Sequence, residues 1–227
     1  MRVLAIGAHP DDLECHCGGT LARYVAEGHE VVMCHASAGD HGAEGALGAR
    51  LAAMRTEEAR KAAAIAGAEH VTLGLSDGGI RGEDAEQRRA VEELAREAAP
   101  DVVITHSAAD YHPDHRELHR LVIDGVHLAA NARRPTSGPA LPQHVPIYFM
   151  ETDASLRFQP TEWVDITSTI EVKRQMAECH ASELDGEYIE QVLARSAYRG
   201  FQCGVRYAEG FEPFPVWLRV RPYRVLP

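Results

Sequence analysis

Short, nearly continuous apolar runs alternate with longer amphipathic stretches along the first 150 residues. The runs at 2–7, 30–36, 71–75, 101–105 and 146–151 have the length and composition of strands covered on both faces. Between them, apolar positions recur at helical spacing over 18–27, 51–66, 84–98 and 114–131. Gly28 and Gly67 stand just past two of these helices as C-terminal stops, and Pro100 ends the third. This alternation predicts an α/β fold, a Rossmann-like three-layer sandwich around a mostly parallel sheet with right-handed crossovers. If the first three strands build outward on one side and the fourth starts the other, strands one and four become neighbours where the order reverses. Open α/β sheets bind ligands at the carboxyl ends of the strands at that point.

Beyond residue 131 the pattern weakens. Residues 132–143, rich in Pro, Gly, Ser and Arg, form no period and read as a surface loop or a mobile lid. A strand at 163–167 and a helix at about 169–180 follow, then a less regular remainder. The aromatic, proline-rich stretch 211–217 reads as an extended wrap or an oligomer contact. Residues 1–227 are long enough for one full core and are read as a single domain.

Charge narrows the partners. A formal net charge of −11 disfavours nucleic acid, whose nonspecific affinity comes from Lys and Arg neutralising phosphates, and disfavours anionic membrane surfaces too. Met1 leads straight into a core strand without the look of a signal peptide, and no apolar run approaches the roughly 20 residues of a membrane span. The expectation is a soluble, cytoplasmic protein. Five cysteines suggest no disulfide framework, and Cys15-x-Cys17 lacks the spacing of a structural zinc site, so both are read as packing residues.

The chemistry concentrates at two strand ends. After the first strand come His9-Pro10-Asp11-Asp12, and after the fourth come Asp110-Tyr111-His112-Pro113-Asp114-His115. At the switch point these clusters face one crevice. His9 and Asp12, three apart in a turn tightening into a helix, can point inward together, and His115 enters from the second cluster. Two imidazoles and one carboxylate leave a position open for water, as catalytic rather than structural zinc requires. Asp11 stands beside a ligand, placed to take a proton from that water. His112 could donate to a leaving group or a developing oxyanion, and Asp114 could orient an imidazole. The blander alternative makes Asp11 and Asp114 helix caps and His112 a turn residue.

At these residues the chain resembles the zinc-dependent de-N-acetylases of the PIG-L or LmbE-like family. The resemblance rests on His9-Pro10-Asp11-Asp12, Gly18-Gly19-Thr20 and His112-Pro113-Asp114-His115. Arg55-x-x-Glu58-x-x-x-Ala62, Asp165-Ile166-Thr167, Lys173, His180 and Tyr207-Ala208-Glu209 extend it over nearly the whole chain. It implies an LmbE-like fold and removal of an N-acetyl group from an N-acetylglucosamine-type sugar conjugate by metal-activated water. His9, Asp12 and His115 would bind Zn²⁺, with Fe²⁺, Co²⁺ or Ni²⁺ as substitutes, Asp11 would be the general base, and His112 would support the tetrahedral intermediate or protonate the amine. It also implies that Arg55 and Asp77 lie near the substrate and that trimers or hexamers are the common assembly. Arg55 as a solvated helix charge and Asp77 as a turn former are the equal alternatives.

Leu13, Asp110 and Glu183 depart from the family pattern. Asp110 stands where some relatives place a tyrosine that assists the oxyanion, with Tyr111 one residue later, so whether either assists is left open. An amidase or deacylase acting on a thiol conjugate or natural-product scaffold would use the same groups. A non-catalytic Rossmann-like metabolite-binding or metal-binding protein is the alternative of a different class. Against the former, the first turn has no Gly-x-Gly-x-x-Gly and its carboxylates would repel a pyrophosphate. His35, His41, His119 and His127 read as loop or structural histidines, and His106 as either a buried core residue or a partner of a ligand.

Overall fold

A computed structural model describes residues 1–136 and 138–216. The first strand, β1 (Arg2–Gly7), feeds α1 (Asp12–Ala26), and the alternation continues through β2 (Glu30–Ser37), α2 (Gly45–Ala66), β3 (Glu69–Leu75) and α3 (Ala85–Ala98). It then passes through β4 (Val102–His106), α4 (Pro113–Ala129) and β5 (Ile147–Met150). After a short turn at Asp153–Ser155 come β6 (Glu162–Asp165), α5 (Ile170–Glu178), α6 (Gly186–Cys203) and β7 (Ala208–Pro213).

One seven-stranded sheet results, in the order β3-β2-β1-β4-β5-β7-β6. The first five in that order are parallel, with Val3 opposite Val31 on one side of β1 and Val102 on the other. β7 runs antiparallel between β5 and β6. The order reverses between β1 and β4, as expected from the sequence. Side chains alternate across β1, so Leu4 and Ile6 enter the core shared with α3 and α4, while Val3 and Ala5 enter the core shared with α1, α2 and α5. Burial on both faces is why these strands are apolar without alternation.

The differences from expectation have physical causes. α1 starts at Asp12, six residues before the anticipated start, because His9-Pro10-Asp11-Asp12 is itself the entry to the helix. α2 starts at Gly45 rather than 51. α6 was hidden in the stretch read as irregular, yet Asp185 caps it by accepting from the Tyr188 N–H at 2.8 Å, and Ile189, Val192, Leu193 and Ser196 form its buried stripe. Residues 211–213 belong to β7 rather than to a wrap; Phe214 continues with a backbone bond to Ile147, and Trp217 lies outside the described residues.

The segment after α4 is a loop at the wrong end of the molecule to act as a lid. α4 runs back towards the amino ends of the strands, and the loop is held there by Arg134 on Glu92, by Arg96 on the Asn131 and Gly138 carbonyls, and by buried Leu141.

Three sequence patterns prove to be one structural knot. Glu209 of β7 accepts from the backbone N–H groups of Gly19 and Thr20 at 3.0 and 2.7 Å, and from Lys173 of α5, which also reaches the Cys15 carbonyl. A side chain on Gly19 would collide with Ile166, with its Cβ 2.7 Å from Ile166 Cδ1. The knot fixes α1, and with it the first cluster, against the far side of the sheet.

Candidate active site

The β1–α1 turn folds on itself. The Asp12 N–H bonds to the His9 carbonyl at 3.2 Å, and Asp12 Oδ2 accepts from the His9 N–H at 2.7 Å. Asp11 takes the N-cap position at φ 118°, a region that L residues rarely enter, yet its side chain makes no capping bond. Instead Asp11 lines a cleft and meets the Arg55 guanidinium at 3.2 Å.

The second cluster enters from β4. Asp110 Oδ1 accepts from the His112 N–H at 3.0 Å, and His112 caps α4 by accepting from the Asp114 N–H on its Nδ1 at 3.2 Å. Burial, and after it the His115 and His9 charges, lowers the His112 pKa. In such a neutral ring, with Nδ1 accepting, the proton resides on Nε2 as a donor. Asp114 Oδ2 accepts from the Gly78 N–H at 2.6 Å and lies 3.2 Å from His9 Nε2, so its carboxylate meets an imidazole while His112, not Asp114, caps the helix.

These turns converge. Asp12 Oδ1 lies 3.2 Å from His115 Nε2, and Asp12 Oδ2 lies 3.4 Å from His9 Nδ1. Three groups of side chains could each hold a metal ion among the described residues: His9, His112 and His115; Asp12, His106 and His115; and His9, Asp77 and Asp114. The expected ligands His9, Asp12 and His115 straddle the first two groups. His106, at the end of β4 and read as either a core residue or a partner of a ligand, stands beside the expected ligands: its Nε2 sits 3.1 Å from Asp12 Oδ2 and its ring stacks on His115 with centroids 3.8 Å apart.

Charge supports the fit of a cation. Burial opposes a proton on His9, yet hydrogen bonds to Asp114, Asp12 and Asp77 push it up to about 12. Burial likewise opposes a proton on His115, but Asp12 and Asp110 push it up to about 10. Burial disfavours the Asp12 carboxylate, and the His115 and His106 rings override this to hold Asp12 well below its usual range. The carboxylates demand positive charge where these rings meet; a divalent ion supplies it with both rings neutral. A mixed imidazole–carboxylate set suits Zn²⁺ and its borderline neighbours. Asp110 Oδ2 approaches His115 Nδ1 to 3.0 Å, off the line of a hydrogen bond, so this pairing is chiefly electrostatic.

Above this floor the cleft has a volume of about 570 Å³. Asp77 stands at its edge, 3.2 Å from His9 Nε2, and Tyr111 is exposed on the rim. Arg55, read either as a substrate neighbour or a solvated charge, lines the cleft but is buried. His41 borders the cleft 3.0 Å from Glu183 Oε2.

Sequence reasoning did not single out His16, Asp153, Leu184, Asp185 or Tyr188, all of which line the cleft. His16 follows Asp12 by one helical turn, a relation concealed by an expected helix start at 18. Asp153 Oδ1 sits 3.3 Å from His16 Nε2 and accepts from the Tyr188 hydroxyl at 3.0 Å. Cys15 also lines the cleft as a buried free thiol, whose pKa burial raises well above the ordinary value; Cys17 packs into the core against Met150. Behind Asp11, buried Glu14 lies between His35 and His180 at 3.3 and 3.2 Å. No helix among the described residues is long and apolar enough to cross a membrane.

The family model described as PIG-L, GlcNAc-PI de-N-acetylase, matches residues 4–126. A diacetylchitobiose deacetylase of Thermococcus kodakarensis is 28% identical over 239 residues, covering 98% of this chain and 86% of that protein. Among solved structures, a conserved protein from Thermus thermophilus superposes with a TM-score of 0.83 at 32% identity, over 93% of this chain and 94% of that one. An N,N'-diacetylchitobiose deacetylase from Pyrococcus horikoshii superposes with a TM-score of 0.84 at 25% identity, over 98% and 87%.

Proposed function

Since this chain belongs to the PIG-L family of GlcNAc-PI de-N-acetylases, we propose that it hydrolyses the N-acetyl amide of an N-acetylglucosamine-type sugar conjugate with the help of a bound divalent metal. The observation that carries this reading is the convergence of His9, Asp12, His112 and His115 in one cleft, with the carboxylate of Asp11 on its wall and uncommitted to helix capping. A metal-binding protein without catalysis would have no need of that carboxylate in a rarely occupied backbone conformation.

His9, Asp12 and His115 would hold the ion, with His106 behind Asp12. Bound Zn²⁺, or Fe²⁺, Co²⁺ or Ni²⁺ in its place, supplies Lewis acidity that polarises the acyl carbonyl and lowers the pKa of water from about 16 towards about 7. Asp11 accepts the proton of the attacking water. Burial and the neighbouring Asp12 charge raise its pKa against the pull of Arg55, which strengthens it as a base. His112 directs its Nε2–H at the carbonyl oxygen as negative charge develops, and the proton held by Asp11 is available to the departing amine. Asp114 and Asp110 keep His9 and His115 in orientation. The products are acetate and the free amine.

The test is acetate release from a panel of N-acetylglucosamine conjugates by protein of measured metal content, beside Asp11→Asn. The variant is expected to retain its metal and lose about 10²–10⁴-fold in turnover, the scale of a lost general base. An Asp11→Asn protein as active as the parent refutes the assigned base. Acetate release by metal-free protein refutes the metal's role.

A further inference from the structure

We infer that Arg55, within the de-N-acetylase reading above, is a positioning residue that holds Asp11 in its active geometry. Asp11 has φ 118° and ψ −27°, and such a conformation persists in an L residue only where the surroundings over-determine it. Arg55 does this from α2. Its Nη2 donates to the Pro10 carbonyl at 2.9 Å and to Asp11 Oδ2 at 3.2 Å, so one nitrogen ties the backbone just before the strained residue to that residue's own side chain.

The rest of the guanidinium is committed as well. Its Nη1 lies 3.1 Å from His41 Nε2 and 3.6 Å from Glu183 Oε2. Gly39 closes behind it at φ 67°, where a Cβ would come within 2.9 Å of Arg55 Cδ and Nε. Only 3% of Arg55 is exposed, and its Nε is buried without an acceptor. Nη2 is thus committed to Pro10 and Asp11, while Nη1 meets the cleft-lining His41 and Glu183. The geometry of Nη2 converges on the carboxylate that takes the proton.

The decisive variants are Arg55→Lys and Arg55→Ala. Lysine keeps a positive charge but cannot reproduce the planar fork that ties Pro10 and Asp11 while reaching His41. For Arg55→Lys, kcat is expected to fall about 10- to 100-fold, as displacement of a catalytic group by about 1 Å does. KM should stay within about threefold and metal content should be unchanged. Millimolar guanidinium should restore part of the kcat lost in Arg55→Ala.

A KM increase of about tenfold or more, or an unchanged kcat, overturns the inference. A crystal structure of Arg55→Lys provides a readout independent of turnover: Asp11 should leave φ near 118°, and its retention there overturns the inference too. If the parent protein releases no acetate, the de-N-acetylase reading fails, while the backbone of Asp11 in the variant still decides the role of Arg55.

Discussion

Replacing Asp110 by Asn tests whether His115 is a metal ligand held by a carboxylate. Asp110 is buried, with Oδ1 accepting from the His112 N–H at 3.0 Å and Oδ2 3.0 Å from His115 Nδ1. Asparagine has the same shape. Its carbonyl oxygen keeps the bond to His112, because turning the amide would set N–H against N–H. The neutral NH₂ group therefore faces His115 Nδ1 in place of the carboxylate charge that favours a proton there, so the ring proton shifts to Nε2, the nitrogen 3.2 Å from Asp12. That tautomer cannot ligate through Nε2. The change removes the carboxylate's electrostatic hold on the ring. The expected cost is that of losing such an outer partner, roughly 10–100-fold in metal affinity, or about 1.4–2.7 kcal/mol. Affinity would be read by competition with a chelating dye, with thermal unfolding of the metal-free proteins as the control. Excess metal should restore most of the turnover. An Asp110→Asn protein whose affinity stays within about twofold of the parent refutes the assignment of His115 as a ligand oriented by Asp110.

Lys173→Met breaks the knot between α1, α5 and β7 and leaves the buried Glu209 carboxylate short of its cation. The cost is expected to be about 3–5 kcal/mol, or a fall of about 10 °C in Tm by calorimetry, and a change under about 2 °C contradicts the role given to the knot. His70 is held at about 4, chiefly by burial and then by the His35 charge. Its folded-state pKa lies below the unfolded value near 6.5, so the stability it contributes is complete above about pH 6.5 and is lost as the pH falls towards 4. His70→Gln should flatten the stability profile in that window, measured by urea unfolding; an unchanged slope excludes His70 as its source.

The fold was legible where one physical rule governs a segment. Two-sided burial makes strands such as Arg2–Gly7 and Val102–His106 apolar throughout, and the switch point between them follows from crossover handedness and the order of strands. His9, Asp11, Asp12, His112, Asp114 and His115 stand out because strand ends deliver polar groups directly after apolar runs. The rest was less legible. His106 could be read as either a core residue or a partner of a ligand; the pairing of β1 with β4 sets it against Asp12. His16 was concealed because apolar helical spacing was read only from residue 18, although Asp11 stands at the N-cap and α1 begins at Asp12. Tyr188 and Asp153 meet across a gap of 35 residues, for which local pattern carries no information.

The floor of the cleft comes from one part of the chain and its rim from two. Every residue assigned to metal binding or proton transfer lies between His9 and His115, inside the segment 4–126 that carries the family match. The rim residues Asp153, Glu183, Leu184, Asp185 and Tyr188 lie beyond it, on the turn after β5 and on the approach to α6. In the proposed reaction the acetamide would reach the floor, and the remainder of its conjugate would extend along the rim. The geometry that would cleave the amide is thus tied to what the family shares, through the β1–β4 switch point and the buried Arg55–Asp11 contact. In the proposed reaction, selection among conjugates would draw on Asp77 and Tyr111 of the shared segment and on these later side chains, where substitutions can alter the rim without displacing His9, Asp11, Asp12 or His115. In this chain the later side chains present three carboxylates and a tyrosine hydroxyl, a surface of acceptors suited to the hydroxyl donors of a sugar.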